Sequence, residues 1–82
     1  MTVSIIVAVK ENNPYLRECI ESCLKLDYPD FEILILPDRQ INLDYPKTKI
    51  IPTGAVTPPQ KRDIAIYKAE GEILAFLDDD AY

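Results

Sequence analysis

The chain has 82 residues, 48% of them hydrophobic, and its nine basic and fourteen acidic residues give a formal net charge of −5. This length suits one small domain or part of a larger one, and the apolar fraction is typical of a folded core. The basic residues form no run that could neutralise phosphate charge, and the apolar runs are too short to cross a bilayer, so we expect neither a nucleic-acid partner nor a membrane segment within this chain.

The first third of the chain predicts a strand, a helix and a second strand. Residues 3 to 9 form a nearly continuous β-branched apolar run, which is typical of a strand covered on both faces. Asn13 and Pro14 then match the cap and the first position of a helix. Residues 27 to 30 end this helix, and residues 31 to 36 form the next apolar strand. The apolar helix face repeats at i, i+3, i+4, i+7 and i+8 and carries Leu16, Cys19, Ile20, Cys23 and Leu24.

The middle of the chain has a weaker hydrophobic periodicity than the segments on either side of it. Residues 38 to 49 are mostly polar, contain Pro46 and show no clear period, so we predict mainly loop. Residues 49 to 52 form at most a short third strand. This stretch therefore separates two parts of the chain whose periodicity is much clearer.

A second helix follows Thr57. Thr57 and Gln60 match a capping box, in which the side chain of each residue accepts a hydrogen bond from the backbone N–H of the other. The helix is predicted to run to about Glu70, with Gly71 ending it in the left-handed conformation. Lys61, in the first turns, is predicted to be a surface lysine.

The last apolar strand covers residues 73 to 77, and three aspartates follow it directly. Strands that alternate with helices pair in parallel through right-handed crossovers. The β-α-β-β-α-β order therefore predicts an α/β fold with a Rossmann-like parallel sheet, flanking helices and strand order 3-2-1-4. Ligands of such sheets bind outside the carboxyl ends of the strands, where the winding reverses.

Polar clusters follow three of these strands and should meet at that edge. With no histidine and only two cysteines, the chain can build neither a tetrahedral zinc site of nitrogen and sulfur ligands nor a Ser-His-Asp triad. Its two glycines form no dinucleotide or P-loop motif. Carboxylates with Mg²⁺ or Mn²⁺ could hold a diphosphate instead. The clusters are Lys10 and Glu11, Asp38 and Arg39, and Asp78, Asp79 and Asp80.

Three segments that span nearly the whole chain resemble a known family. They read VSIIVAVKENNPYLRECIESCL, FEILILPD and PPQKRDIAIYKAEGEILAFLDDDA. In this order they look like the amino-terminal half of a family 2 glycosyltransferase of the GT-A fold. The resemblance implies a partial GT-A domain that binds a nucleotide diphosphate sugar, with Mn²⁺ or Mg²⁺ as cofactor, for transfer of the sugar to an acceptor hydroxyl.

The resemblance also assigns residues to the nucleotide. Asp38 would hydrogen-bond the base, while Val9 and Glu11, which follow the first strand, would line the base pocket. Arg62 stands where the family usually places an arginine near the nucleotide. The chain departs from the common pattern after the first strand, where Val9-Lys10-Glu11 replaces Thr-Tyr-Asn, so the base itself stays open.

The acidic triplet corresponds to the D-x-D motif of the family. By resemblance, Asp78 would lie near the ribose and sugar, with Asp79 beside it in the substrate-binding set. Asp80 would ligate the metal on the diphosphate. The family's general base lies in a later acceptor-binding half, so no catalytic residue is predicted within these 82 residues.

We therefore expect residues 1 to 82 to be the amino-terminal, donor-binding part of a longer enzyme and to be inactive alone. The expected location is cytoplasmic, or the cytoplasmic face of a membrane if the full-length chain carries an anchor. The acceptor and the oligomeric state stay open.

Two alternatives also stay open. A receiver-like regulatory module would bind Mg²⁺ in an acidic pocket, although its usual phospho-acceptor and lysine positions are not matched here. An interaction fragment would complete its sheet with a partner chain, through the bare apolar edge predicted for the last strand.

Overall fold

The computed structural model describes residues 2 to 27 and 29 to 78, and over these residues four strands form one sheet. All three strand pairs are parallel, and the strand order is 3-2-1-4. The predicted α/β fold, element order and strand order are confirmed. In chain order the elements are β1 (Val3–Ala8), α1 (Pro14–Leu24), β2 (Phe31–Leu36), β3 (Thr48–Ile50), α2 (Pro58–Lys68) and β4 (Ile73–Asp78).

Apolar layers cover both faces of the sheet. On one face, Leu16 and Ile20 of α1 are fully buried in a cluster with odd-numbered strand residues, among them Ile5, Val7, Ile33 and Ile35. On the other face, Ala65 of α2 packs with even-numbered residues, which are Ile6, Leu34 and Leu36. Successive side chains of a strand point to opposite faces, so burial on both sides requires the continuous apolar runs of β1 and β2.

Both helices begin as the sequence predicts. The Asn13 side chain accepts a hydrogen bond from the Leu16 backbone N–H at 2.8 Å, and Pro14 occupies the first helical position. In α2 the Gln60 backbone N–H donates to Thr57 Oγ1, and Gln60 Oε1 accepts from the Thr57 N–H at 2.9 Å. No helix in the described part of the chain is both long and apolar enough to cross a membrane.

The predicted end of α2 is wrong. The helix ends at Lys68, and Ala69 is already extended, with φ −70° and ψ 134°. Gly71 lacks the left-handed conformation that we expected, whereas Gly54 has it, with φ 81°. A Cβ atom at Gly71 would overlap Ser4 Oγ and would lie 2.6 Å from the Ser4 backbone nitrogen and 2.9 Å from the Thr2 carbonyl oxygen. Glycine is needed here because the chain passes directly against β1.

The polar stretch after β2 is mainly loop, as predicted, but it also covers the core. Ile41, Leu43 and Tyr45 are partly buried against the α1 side of the sheet. The Tyr45 hydroxyl donates a hydrogen bond to Glu21 Oε2 of α1 at 3.2 Å. These alternating apolar residues are a period-2 pattern that our reading of the sequence missed, although no regular strand forms there.

Candidate functional site

The loops that follow β1 and β2 are joined directly by their backbones. The Val9 N–H donates to the Leu36 carbonyl at 3.2 Å, and the Asp38 N–H donates to the Lys10 carbonyl at 3.1 Å. The parallel ladder therefore continues beyond the last paired residues of both strands. Two of the three predicted polar clusters consequently lie side by side at the carboxyl edge of the sheet.

Lys61 is buried at this edge, so its prediction as a surface lysine is wrong. Only 3% of the residue is exposed, and its Nζ donates hydrogen bonds to the Val9 carbonyl and, at 2.9 Å, to the Leu36 carbonyl. Nζ also lies 2.6 Å from Asp38 Oδ1. The signal was present in the sequence, because Lys61 precedes the buried Ala65 by one helical turn and so shares its inward face.

Asp38 is held by its backbone and by Lys61 but keeps hydrogen-bonding capacity. Its side chain is 26% exposed, and among the described residues its buried Oδ1 accepts no hydrogen bond, so the contact with Lys61 is an ion pair. A carboxylate has two oxygens with about four lone-pair sites, so the exposed part of the group can accept a further donor. The arrangement therefore presents a fixed acceptor group at the edge of the sheet.

The loop after β3 also reaches this edge, which our reading of the sequence missed. The Thr53 N–H donates to the Pro37 carbonyl, and the Gly54 N–H donates to the Asp38 carbonyl, each at 2.9 Å. Gly54 takes a positive φ of 81°, a conformation that glycine adopts without steric cost. The backbone of Asp38 is thus hydrogen-bonded on both sides, to Lys10 and to Gly54.

The remaining predicted residues near β1 and α2 differ in exposure. Val9 points its side chain into the core, with 4% of the residue exposed, so it offers the site only its backbone. Glu11 is exposed in the loop after β1. Arg62 is exposed on α2, and its guanidinium carbon lies 5.7 Å from the ring centroid of Phe76 on β4.

The acidic triplet begins where the described part of the chain ends. Asp78 is the last residue of β4 and pairs in register with Ala8 of β1, so its backbone lies beside the start of the loop that carries Glu11. Asp79 and Asp80 lie outside the described residues. Among residues that the structure does describe, no group of three or more histidine, cysteine or acidic side chains could hold a metal. Carboxylates are nevertheless the donors that Mg²⁺ and Mn²⁺ prefer, so the residue types of the triplet fit the predicted metal.

Comparison with known proteins relates the chain to enzymes that transfer sugars. The sequence matches the family described as glycosyl transferase family 2 over residues 4 to 82. The poly(ribitol-phosphate) beta-N-acetylglucosaminyltransferase TarS of Staphylococcus aureus (strain Mu50) is 29% identical over 98 residues, an alignment that covers 100% of this chain and 17% of TarS. An uncharacterized glycosyltransferase, EpsJ of Bacillus subtilis, is 33% identical over 98% of this chain and 26% of its own length.

A further relative and a solved structure are also glycosyltransferases. An uncharacterized glycosyltransferase of Haemophilus influenzae is 32% identical over 98% of this chain and 36% of its own length. The crystal structure of S. aureus TarS 1–349 superposes with a TM-score of 0.78 at 28% identity, covering 100% of this chain and 28% of that one. The chain thus spans between 17% and 36% of the lengths of these relatives.

Proposed function

The chain belongs to glycosyl transferase family 2, and from that membership we propose that it forms the donor-binding part of a glycosyltransferase. The proposed ligand is a nucleotide diphosphate sugar, bound with Mn²⁺ or Mg²⁺. The sugar passes to an acceptor hydroxyl, which replaces the diphosphate at the anomeric carbon. Because the chain spans a minor part of its relatives, the complete activity is proposed for the full-length gene product.

One observation supports this proposal most strongly, the half-buried Asp38 carboxylate at the carboxyl edge of the sheet. It lies beside the loop after β1 and is paired with Lys61 at 2.6 Å. Parallel α/β sheets bind their ligands at this edge, at the point where strand order reverses between neighbouring strands. In this sheet the winding reverses between β1 and β4, and Asp38 follows β2, the other neighbour of β1.

We assign the base to the β1–β2 side of the edge. Asp38 accepts a hydrogen bond from a ring or amino N–H of the base. The Val9 backbone and the exposed Glu11 line the same pocket, and Arg62 of α2 contributes a cation near the nucleotide. Uracil and guanine both present a ring N–H, so UDP and GDP are the first ligands to compare.

The diphosphate and sugar are assigned to the β4 side. Asp78 and Asp79 contact the ribose and sugar, and Asp80 holds the metal. A bound divalent cation supplies charge neutralisation for the diphosphate as it leaves. N-acetylglucosamine is the first sugar to test, because TarS is named for its transfer.

Isothermal calorimetry on the full-length gene product tests the proposal. We expect UDP or GDP to bind in the presence of Mn²⁺ or Mg²⁺ and to bind at least about tenfold more weakly when the metal is chelated. Asp80→Asn should remove most of this metal dependence. Equal binding of both nucleotides with and without metal would refute the proposed metal site.

Asp27→Asn is the matched control. Asp27 is exposed and lies shortly before β2 begins, at the opposite end of the sheet. The substitution removes the same charge, and surface changes of this kind typically alter free energies by at most about 0.5 kcal/mol. Nucleotide affinity and its metal dependence should therefore stay as in the unsubstituted protein.

A further inference from the structure

We infer that Lys61 is a positioning residue of the proposed donor site, which fixes the Asp38 carboxylate without contacting the nucleotide. The inference rests on the proposed function. It assigns to Lys61 a role distinct from that of its neighbour Arg62, which is exposed and lies over Phe76.

The surroundings of Lys61 bury its ammonium group. Nζ donates to the carbonyls of Val9 and Leu36 and pairs with Asp38 Oδ1. An ammonium group has three N–H donors, of which the two carbonyls accept two, and its charge pairs with Asp38. With 4% of the Lys61 side chain exposed, a ligand cannot reach Nζ. Lys61 can therefore influence a nucleotide only through the groups that it holds.

Asp38 supplies the one side chain among these three acceptors, and that side chain is partly exposed. The Leu36 carbonyl already accepts from both Lys61 and the Val9 N–H. The side chain of Asp38 is 26% exposed, against 4% for Lys61. The backbone of Asp38 is tied to Lys10 and Gly54, but its carboxylate takes no hydrogen bond at Oδ1 within the described residues. The ion pair with Lys61 is thus the contact that restrains this side chain.

A restrained acceptor binds more tightly than a mobile one, because less side-chain entropy is lost when the ligand arrives. A buried ammonium group is also costly unless it is paired, so the charge at this position requires a specific reason. The need to fix the Asp38 carboxylate, which accepts a hydrogen bond from the base in the proposed function, is such a reason. A purely structural role, in which Lys61 only joins β1, β2 and α2, is the competing explanation.

A double-mutant cycle separates the two explanations. Lys61→Gln keeps amide donors for the strand carbonyls but loses the charge that pairs with Asp38. In the full-length gene product, nucleotide affinity is measured by calorimetry for the unsubstituted protein, Lys61→Gln, Asp38→Asn and the double variant. We expect Lys61→Gln to weaken UDP or GDP binding about tenfold when Asp38 is present, and less than about twofold when residue 38 is asparagine.

Lys68→Gln is the control on the same helix. Lys68 is exposed in the last turn of α2, so its replacement should change affinity by less than about twofold. Equal losses from Lys61→Gln in both backgrounds would overturn the inference and leave a structural role. If Lys61→Gln does not fold, Lys61→Met takes its place in the cycle, and failure of both to fold would also overturn the inference. Absence of nucleotide binding by the unsubstituted protein would instead overturn the proposed function.

Discussion

The two ends of the sheet each bury a charged side chain, but they differ in how completely the carboxylate at that end is hydrogen-bonded within the chain. At the amino-terminal end, Glu32 Oε2 accepts from Ser4 Oγ at 2.6 Å and from the Glu70 N–H at 2.7 Å, while Oε1 lies 3.4 Å from Lys49 Nζ. Ser4 Oγ accepts in turn from the Gly71 N–H at 2.8 Å. We call these five residues the amino-end network, and both oxygens of its buried carboxylate are partnered within the chain.

At the carboxyl end the same kind of pair is incomplete. Lys61 donates hydrogen bonds to two carbonyls and pairs with the buried Asp38 Oδ1, which accepts no hydrogen bond from residues that the structure describes. The Asp38 side chain is also more exposed, at 26% against 12% for Glu32. A ligand could therefore reach the exposed part of the Asp38 carboxylate, but not its buried Oδ1.

The amino-terminal end of the sheet also carries a cavity. A groove of about 430 Å³ lies at the amino-terminal end, and Glu32, Lys49 and Glu70 line it. These charges already pair with one another, because Lys49 Nζ lies 3.4 Å from both carboxylates. The groove therefore offers a ligand few free charges. A groove whose charges already pair with one another is a weaker candidate for a charged ligand than the partly exposed Asp38 carboxylate.

Gly71→Ala should have the largest effect and would break the amino-end network. The added Cβ would overlap Ser4 Oγ and lie 2.6 Å from the Ser4 backbone nitrogen, which only a backbone shift can relieve. We expect a loss of about 3 kcal/mol in the free energy of unfolding, measured by urea denaturation. Gly54→Ala is the control, because nothing lies within 4 Å of its Cβ and only the positive φ is penalised, at about 1 kcal/mol. Equal losses in the two variants would contradict this account of Gly71.

Glu32→Ala should have the next largest effect and would sharpen the contrast between the two ends. It leaves the Ser4 hydroxyl and the Glu70 N–H without their acceptor, which should cost about 2 kcal/mol of unfolding free energy. Nucleotide affinity of the folded protein, measured by calorimetry, should stay unchanged, whereas Lys61→Gln lowers it. A large loss of affinity in Glu32→Ala would mean that the two ends are coupled through α2.

The smallest expected effect is a pH dependence. Burial by itself raises the pKa of Glu32, but the hydrogen bonds from Ser4 and the Glu70 N–H, together with the Lys49 charge, outweigh it and hold the pKa below its ordinary value of 4.5. The resulting stability is present above pH 4.5 and is lost as the pH falls through the lower pKa of the folded state. The midpoint of thermal unfolding should therefore fall less steeply below pH 4.5 in Glu32→Gln than in the unsubstituted protein. Identical slopes in the two proteins would contradict the lowered pKa.

Local patterns predicted most of the fold. The caps at Asn13 and Thr57 depend on residues within the next three positions, and both form as expected. The continuous apolar runs of β1 and β2 required burial on both faces, and the sheet provides it. The short β3 was the least certain strand, because three residues give too little pattern to set its bounds, and it starts one residue earlier than predicted.

The sequence by itself determined the family, the order of elements and the edge of the sheet at which polar loops gather, because these depend on periodicity, caps and the positions of strand ends. The tertiary structure alone decided the roles of Lys61 and Gly71. Their partners lie 52 residues away, at Val9, and 67 residues away, at Ser4, so helical spacing could place Lys61 on the inward face but no local pattern could reveal which groups it or Gly71 would meet. A lysine becomes buried and a glycine becomes necessary only when the sheet brings distant backbone groups against them. These long-range contacts produce the difference between the carboxyl end of the sheet, where Asp38 is partly exposed, and the amino-terminal end, where the Glu32 carboxylate is fully partnered.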